Sequence, residues 1–142
     1  MWPQPADGPL FEPVAASDFE AMLALRIRAM QPSLQALGRF DPDRARQRLA
    51  DGFAPACMRH IVAGGQRVGF TTLRPVEQGL ALELDHLYID PAYQGRGLGA
   101  WVVDCAKARA DRLQLPLVVE ALLGSDANRF YQRHGFVEQR RG

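Results

Sequence analysis

Along most of the chain the apolar residues fall into short runs whose spacing switches between helix and strand periods. "LFEPVA", residues 10–15, reads as a short strand that Pro13 confines to a sheet edge or a bulge. "SDFE" has the form of a capping box, in which Ser17 would accept the amide of Glu20 while Glu20 reaches back. Phe19, Met22, Leu23, Ile27 and Met30 follow at helical spacing, and Pro32 is expected to end that helix. A short turn, "PSLQALG", closes at Gly38. Asp41 before Pro42 predicts a second helix, "PDRARQRLADGF", with Ala45 and Leu49 on its apolar side.

Further on the period changes. "MRHIVA" and "RVGFTTLR" are strand-like, and Gly64–Gly65 between them signals a hairpin. A turn through Pro75 to Gly79 leads into "LALELDHLYID". There Leu80, Leu82 and Leu84 share one face, but the next aliphatic residues are Leu87 and Ile89, so even positions give way to odd ones. One extra residue near Asp85–His86 would keep both sets on the same face, which predicts a β-bulge. Leu98, Trp101, Val102, Cys105 and Ala108 then form the apolar stripe of a helix running to about Leu115. "LPLVVEALL" reads as a buried strand, "SDANRFYQRHG" as a short helix closed by Gly135, and "FVEQRR" as a last strand. The order β-α-α-β-β-β-α-β-α-β predicts a mixed α/β domain: a mostly antiparallel central sheet, helices on both faces, and a bulge in strand four.

Composition narrows the class. The 142 residues suffice for one domain with a single core, the first eight being expected loose. A net charge of +1 gives no reason to expect a nucleic-acid partner; Arg44, Arg46 and Arg48 read as a solvated face and Arg140–Arg141 as a tail. No apolar run approaches the roughly 20 residues that span a bilayer, and "MWPQPADGPLF" has neither a basic nor an apolar leader region. Cys57 and Cys105 stand apart from any CxxC or Cys/His grouping, so they read as small buried hydrophobes in a reducing compartment. The expectation is a cytoplasmic protein without metal or membrane partner.

The chemistry concentrates in "YIDPAYQGRGLGAWVVD", where a strand becomes a helix through Gly95, Gly97 and Gly99. Glycine there sacrifices backbone entropy, and the usual reason is close approach of a phosphate to bare amides. A P-loop is excluded because no Lys-Ser/Thr pair follows the last glycine. Gly95, Gly97 and Ala100 formally fit a dinucleotide fingerprint, with Glu120 after the next strand. "DPAYQ" intervenes before Gly95, however, whereas that fingerprint turns directly off its strand.

"QGRGLG", Gln94 to Gly99, behind "LYIDPAYQ", resembles the Q/R-x-x-G-x-G/A signature of the GCN5-related N-acetyltransferase superfamily. "ANRFYQRHGF", Ala127 to Phe136, is similar to that family's last-helix motif at the expected separation. The resemblance covers about residues 10–140 and implies acetyl-CoA as co-substrate. Consecutive amides from Gly95 to Ala100 at a helix N-terminus would cup its diphosphate, with Gln94, Gly95, Arg96, Gly97, Leu98, Gly99 and Ala100 as contacts. Arg96 either touches a phosphate or is simply solvated.

Acyl transfer to an amine needs a neutral nucleophile, whereas a lysine-type amine has a pKa of about 10.4. Glu83, eleven residues before Gln94, resembles the strand-four glutamate base of histone-acetylating members; Asp85 and His86 are neighbouring alternatives, and an ordinary strand residue is the plainer reading. The resemblance further implies that the backbone of Leu87, Tyr88 and Ile89 pairs with pantetheine, that Asn128 contacts it, and that Tyr131 protonates the departing thiolate. His60 and His134 receive no role. The family usually ends in a hairpin, whereas here one strand follows the last helix, so the expectation is either a missing seventh strand or a partner subunit that completes the sheet in a homodimer. The expected activity is direct acetyl transfer to a primary amine of a small molecule or a protein. A non-catalytic acyl-CoA sensor of the same fold is the alternative.

Overall fold

The structure, a computed structural model, describes residues 8–36 and 41–119. Five strands form one sheet in chain order: β1 Leu10–Pro13, β2 Met58–Ala63, β3 Gln66–Val76, β4 Ala81–Ile89 and β5 Leu117–Val119. The first four are antiparallel neighbours and β5 joins β4 in parallel. Three α-helices accompany them: α1 Phe19–Ala36, α2 Pro42–Asp51 and α3 Leu98–Leu113. The expected mixed α/β architecture is therefore present over the described residues. The last helix and strand read from the sequence, with Asn128 and Tyr131, lie outside them, as does the turn closing at Gly38. None of the described helices is long and apolar enough to cross a membrane.

Two apolar layers hold the sheet between helices. On one face Ile61, Val68, Leu84 and Phe11 pack against Leu98, Val102, Val103, Cys105 and Ala106 of α3. Phe11 also stacks on Trp101, with ring centroids 4.5 Å apart, which fastens edge strand β1 to α3. On the other face Met58 and Phe70 meet Met22, Leu23 and Leu25 of α1 and Ala45 and Leu49 of α2. Each Val, Leu, Ile, Phe or Met side chain among them contributes about 1.5–3 kcal/mol when fully withdrawn from water. Ala108, expected in the α3 stripe, is exposed; Val103, Ala106 and Ala110 take the buried side instead. Leu80 precedes β4 and is exposed, so the apolar face of the strand begins at Leu82.

Two boundary expectations are corrected. Ser17 caps nothing: a 3₁₀ turn over Ala16–Asp18 precedes α1, and the Asp18 carboxylate accepts the Ala15 amide at 2.9 Å. Glu20 instead takes a two-pronged contact from Arg46 of α2, at 2.6 and 3.0 Å. Nor does Pro32 end α1, which continues to Ala36. Proline prefers the helical φ of about −65°, so the loss is one amide bond to the carbonyl of Arg28. The turn after β3 is also shorter than expected, since Pro75 is still in strand register opposite Leu82. The Asp41 cap is as predicted, accepting the amides of Asp43 and Arg44 at 3.0 and 3.4 Å.

Asp18 serves a second purpose. Its carboxylate lies 2.9 Å from Nε2 of buried His60 and 3.2 Å from Arg67, tying the start of α1 to β2 and β3. The hydrogen bond from His60, then the Ala15 amide, hold its pKa down to about 2 from 3.8. A carboxyl depressed on folding stabilises above its unfolded value and loses that contribution as pH falls through the folded one. Asp18→Asn is expected to lower the melting temperature at neutral pH, with the gap to wild type closing between about pH 4 and pH 2. Thermal melts of both proteins across that range test it.

Gly69, in the middle of β3, faces Ile89 across the ladder. A Cβ built there would lie inside contact distance of the Tyr88 carbonyl oxygen, a backbone atom that cannot swing aside. Gly69→Ala is therefore expected to destabilise the fold by about 1–3 kcal/mol through overpacking, measured by denaturant unfolding. It should also push the Tyr88–Ile89 segment outward.

Candidate functional site

The parity change in β4 is a bulge. Thr71 pairs with Leu87 and Leu73 with Leu84, so the single residue Thr72 stands opposite both Asp85 and His86. Leu84, Leu87 and Ile89 consequently all join the α3 layer, while Tyr88 packs in the α1–α2 layer. Two hydroxyls hold the distortion: Thr71 Oγ1 donates to the His86 carbonyl at 2.7 Å, and Thr72 Oγ1 lies 2.9 Å from His86 Nδ1.

The bulge also settles where the acids sit. It falls after Glu83, which keeps regular register opposite Arg74. Arg74 Nη2 lies 3.2 Å from Glu83 and 2.6 Å from Asp85, so one guanidinium serves both carboxylates. The Glu83 side chain is buried, whereas that of Asp85 is 18% exposed. His86 Nε2 is 3.9 Å from Asp85, and burial pushes the imidazole below its usual pKa, Asp85 opposing and Arg26 and Arg74 assisting. The ring is neutral at neutral pH. Arg74 and the two threonines were missed by sequence reasoning; the acid pair pointed only to a carboxylate.

Strand β5 pairs with Leu82, Glu83 and Leu84 alone, so among the described residues the β5 side of Leu87–Ile89 carries no ladder partner. The other side of that segment is fixed by Thr71, Phe70 and Gly69. Among the described residues, a main-chain edge of three residues is thus left beside the point where β4 ends.

The glycine turn continues directly from that edge. Asp90 accepts the Ala92 amide at 3.1 Å and holds Arg28 of α1 at 3.0 Å, which anchors a 3₁₀ turn over Pro91–Tyr93. The Gln94 side chain donates to the Ile89 carbonyl at 2.9 Å, and its own amide is engaged with Pro91 at 3.3 Å. Gln94 therefore braces the loop, and the amides offered to a ligand begin at Gly95. Gly95 and Gly97 have φ of 78° and 81°, the left-handed region, with Arg96 between them on the ordinary side. Such alternation turns successive N–H groups toward one concavity. Gly97 is the cap of α3 and supplies no side chain; the first helical bond is from Trp101 to Gly97 at 3.0 Å, ahead of which come the amides of Leu98, Gly99 and Ala100. Gly99 itself is an ordinary helical residue of the first turn.

A groove of about 420 Å³ opens beside this turn, lined by Ala63, Gly64, Gln66, Tyr93, Arg96 and Leu98. Its wall is braced by the Tyr93 hydroxyl donating to Gln66 at 2.6 Å, and the Arg96 guanidinium lies over the Tyr93 ring at 5.1 Å. Bare amides, a helix N-terminus and an arginine form a donor set suited to a diphosphate, and a groove alongside suits the organic group attached to it.

A central sheet with a bulged fourth strand, and a glycine turn leading from that strand into a helix, is an acyltransferase-type architecture. The sequence model of the acetyltransferase (GNAT) domain family matches residues 57–138, and the chain belongs to that family. No protein of curated function matches the sequence. Solved structures share the fold. A GCN5-related N-acetyltransferase from Rhodopseudomonas palustris superposes with a TM-score of 0.72 at 21% identity, over 95% of this chain and 85% of its own. The PaiA N-acetyltransferase from Thermoplasma acidophilum, solved with coenzyme A, gives 0.70 at 14% identity, over 92% and 91%. A protein described as a transcriptional regulator from Bacillus halodurans gives 0.65 at 19% identity, over 94% and 96%.

Proposed function

We propose that this chain is an acetyl-CoA-dependent N-acetyltransferase that passes the acetyl group directly to an amine within a ternary complex. The observation that carries the reading is the junction at residues 87–100, where a main-chain edge with no ladder partner among the described residues runs into a turn with two left-handed glycines and a helix start lacking a side-chain cap. Amides of Gly95 to Ala100 hold the diphosphate, each worth about 1 kcal/mol and acting together with the helix dipole. The Leu87–Ile89 backbone pairs with the pantetheine arm and turns one amide toward the thioester carbonyl. Removing an oxyanion donor of this kind typically costs about 10²–10³ in rate.

Glu83 collects the proton released by the attacking amine, through a water beside the more open Asp85. Arg74 holds both acids aimed together, and neutral His86 adds no positive charge that would repel an ammonium acceptor. Tyr131 supplies the proton to the departing thiolate and Asn128 contacts the arm; both roles rest on the motif alone.

A screen of amines with acetyl-CoA, following thiol release, tests the reading. Turnover with at least one class of amine is expected. Tight coenzyme binding without thiol release from a broad panel would replace the enzyme with a non-catalytic sensor.

A further inference from the structure

Arg26 of α1 is 4% exposed, yet among the described residues no carboxylate lies within ion-pair distance of its guanidinium. Its one hydrogen bond among the described residues runs from Nη1 to the Ala45 carbonyl of α2, at 3.1 Å. Its Nε is buried without any hydrogen-bond partner. The guanidinium stands 5.4 Å above the ring of Tyr88, which is itself 5.9 Å from the His86 ring. A buried charge of this kind is costly unless an anion or a full set of hydrogen bonds compensates it. Among the described residues, the arginines of α1 and α2 that meet a carboxylate do so at the surface: Arg46 with Glu20 and Arg28 with Asp90. Arg26 is the exception, and it is on the catalytic face of β4.

We propose that Arg26 receives the carboxylate of the acceptor, so that the substrate is a small amine that carries a carboxylate on the same molecule. This rests on the transferase reading above. The geometry selects the acceptor as the source of the anion. The diphosphate of the coenzyme belongs to the amide cup on residues 95–100, at the start of α3 on the opposite face of the sheet, and the ribose phosphate lies beyond the diphosphate from the thioester. The arm between cup and thioester is uncharged. Arg28, two residues on and therefore on the far side of the helix from Arg26, is the one that reaches the cup's supporting loop through Asp90. An anion over Tyr88 thus enters with the nucleophile, from the α1–α2 side. Planar Nε and Nη2 donors match a carboxylate in two-pronged fashion, an arrangement stronger than a neutral hydrogen bond.

The first arm of the test uses the unmodified protein. Thiol release is measured with a series of amino acids and with the matching carboxamides, at saturating acetyl-CoA. The acids are expected to have kcat/KM values about tenfold to a hundredfold higher, chiefly through KM. That preference runs against reactivity, because the amide's amine is less basic and more often neutral. The second arm needs no turnover. N-acetyl amino acids, which cannot react, should move the Arg26 Nε–H resonance, whereas their N-methylamides should not, and Arg26→Lys should weaken binding of the acids while leaving coenzyme affinity unchanged. Equal or better turnover of the amides, or an Nε–H resonance indifferent to carboxylates, overturns the proposal. If carboxylates move that resonance but no amine releases thiol, the transferase reading fails and the anion site stands.

Discussion

Gly97→Glu is expected to reduce affinity for coenzyme A at least a hundredfold. Two effects act at one position. Gly97 has φ of 81°, where an L side chain is strained by about 1–2 kcal/mol, so the cup opens or its amides misalign. The new carboxylate also lies beside the amides that would otherwise meet a diphosphate, and like charges there remove the helix-terminus advantage. Gly97→Ala separates the two, since it carries the strain without the charge; a loss of about tenfold is expected from it. Nothing lies within 4 Å of a Cβ built at Gly97, so neither variant creates a core clash and the apo fold should survive. Titration calorimetry with coenzyme A measures both. An unchanged affinity in the glutamate variant would remove the cup from the account.

Glu83→Gln is expected to lower kcat by about 10²–10³ with coenzyme affinity intact, within the range of a lost general base. The substitution preserves shape and one oxygen toward Arg74, so the strand should not rearrange. The guanidinium then keeps Asp85 at 2.6 Å as its remaining acid. Asp85→Asn is expected to cost only about tenfold, because the buried acid in regular register is the one assigned the proton. Steady-state rates with a productive amine, alongside calorimetric coenzyme affinities, check the pair. A larger loss in Asp85→Asn than in Glu83→Gln would transfer the base to Asp85.

The features legible in the sequence are those imposed by local geometry. The shift from Leu82 and Leu84 to Leu87 and Ile89 located the bulge at Asp85–His86, because side-chain alternation leaves no other way to keep four aliphatic residues on one face. The hairpin at Gly64–Gly65, the Asp41 cap and the start of α3 were legible for the same reason: each depends on residues within a few positions. The Ser17 box failed because the chain enters α1 through a 3₁₀ turn whose Asp18 carboxylate reaches back to the Ala15 amide and across to His60, a tertiary partner that local sequence does not show.

What could not be read depends on pairing across the sheet. Opposing Arg74 to Glu83 requires the length of the turn between β3 and β4. Pro75 and Gly79 marked the turn, but Glu77 and Gln78 enter the left-handed region without a glycine at either position, so the residue types did not give its length. Arg26 sits among Met22, Leu23 and Leu25, and its burial follows from α2 covering it through Ala45. An arginine next to an apolar stripe ordinarily extends to solvent.

The central claim is that main-chain nitrogens from Gly95 to Ala100 hold a diphosphate at the end of the bulged strand. Amide resonances report it directly. On addition of coenzyme A, the Gly95, Gly97, Leu98, Gly99 and Ala100 amide protons are expected to move to lower field as they bond to phosphate oxygen, while pantetheine, which lacks the diphosphate, leaves them in place. Amides that stay put with coenzyme A, or that respond equally to pantetheine, would contradict the account.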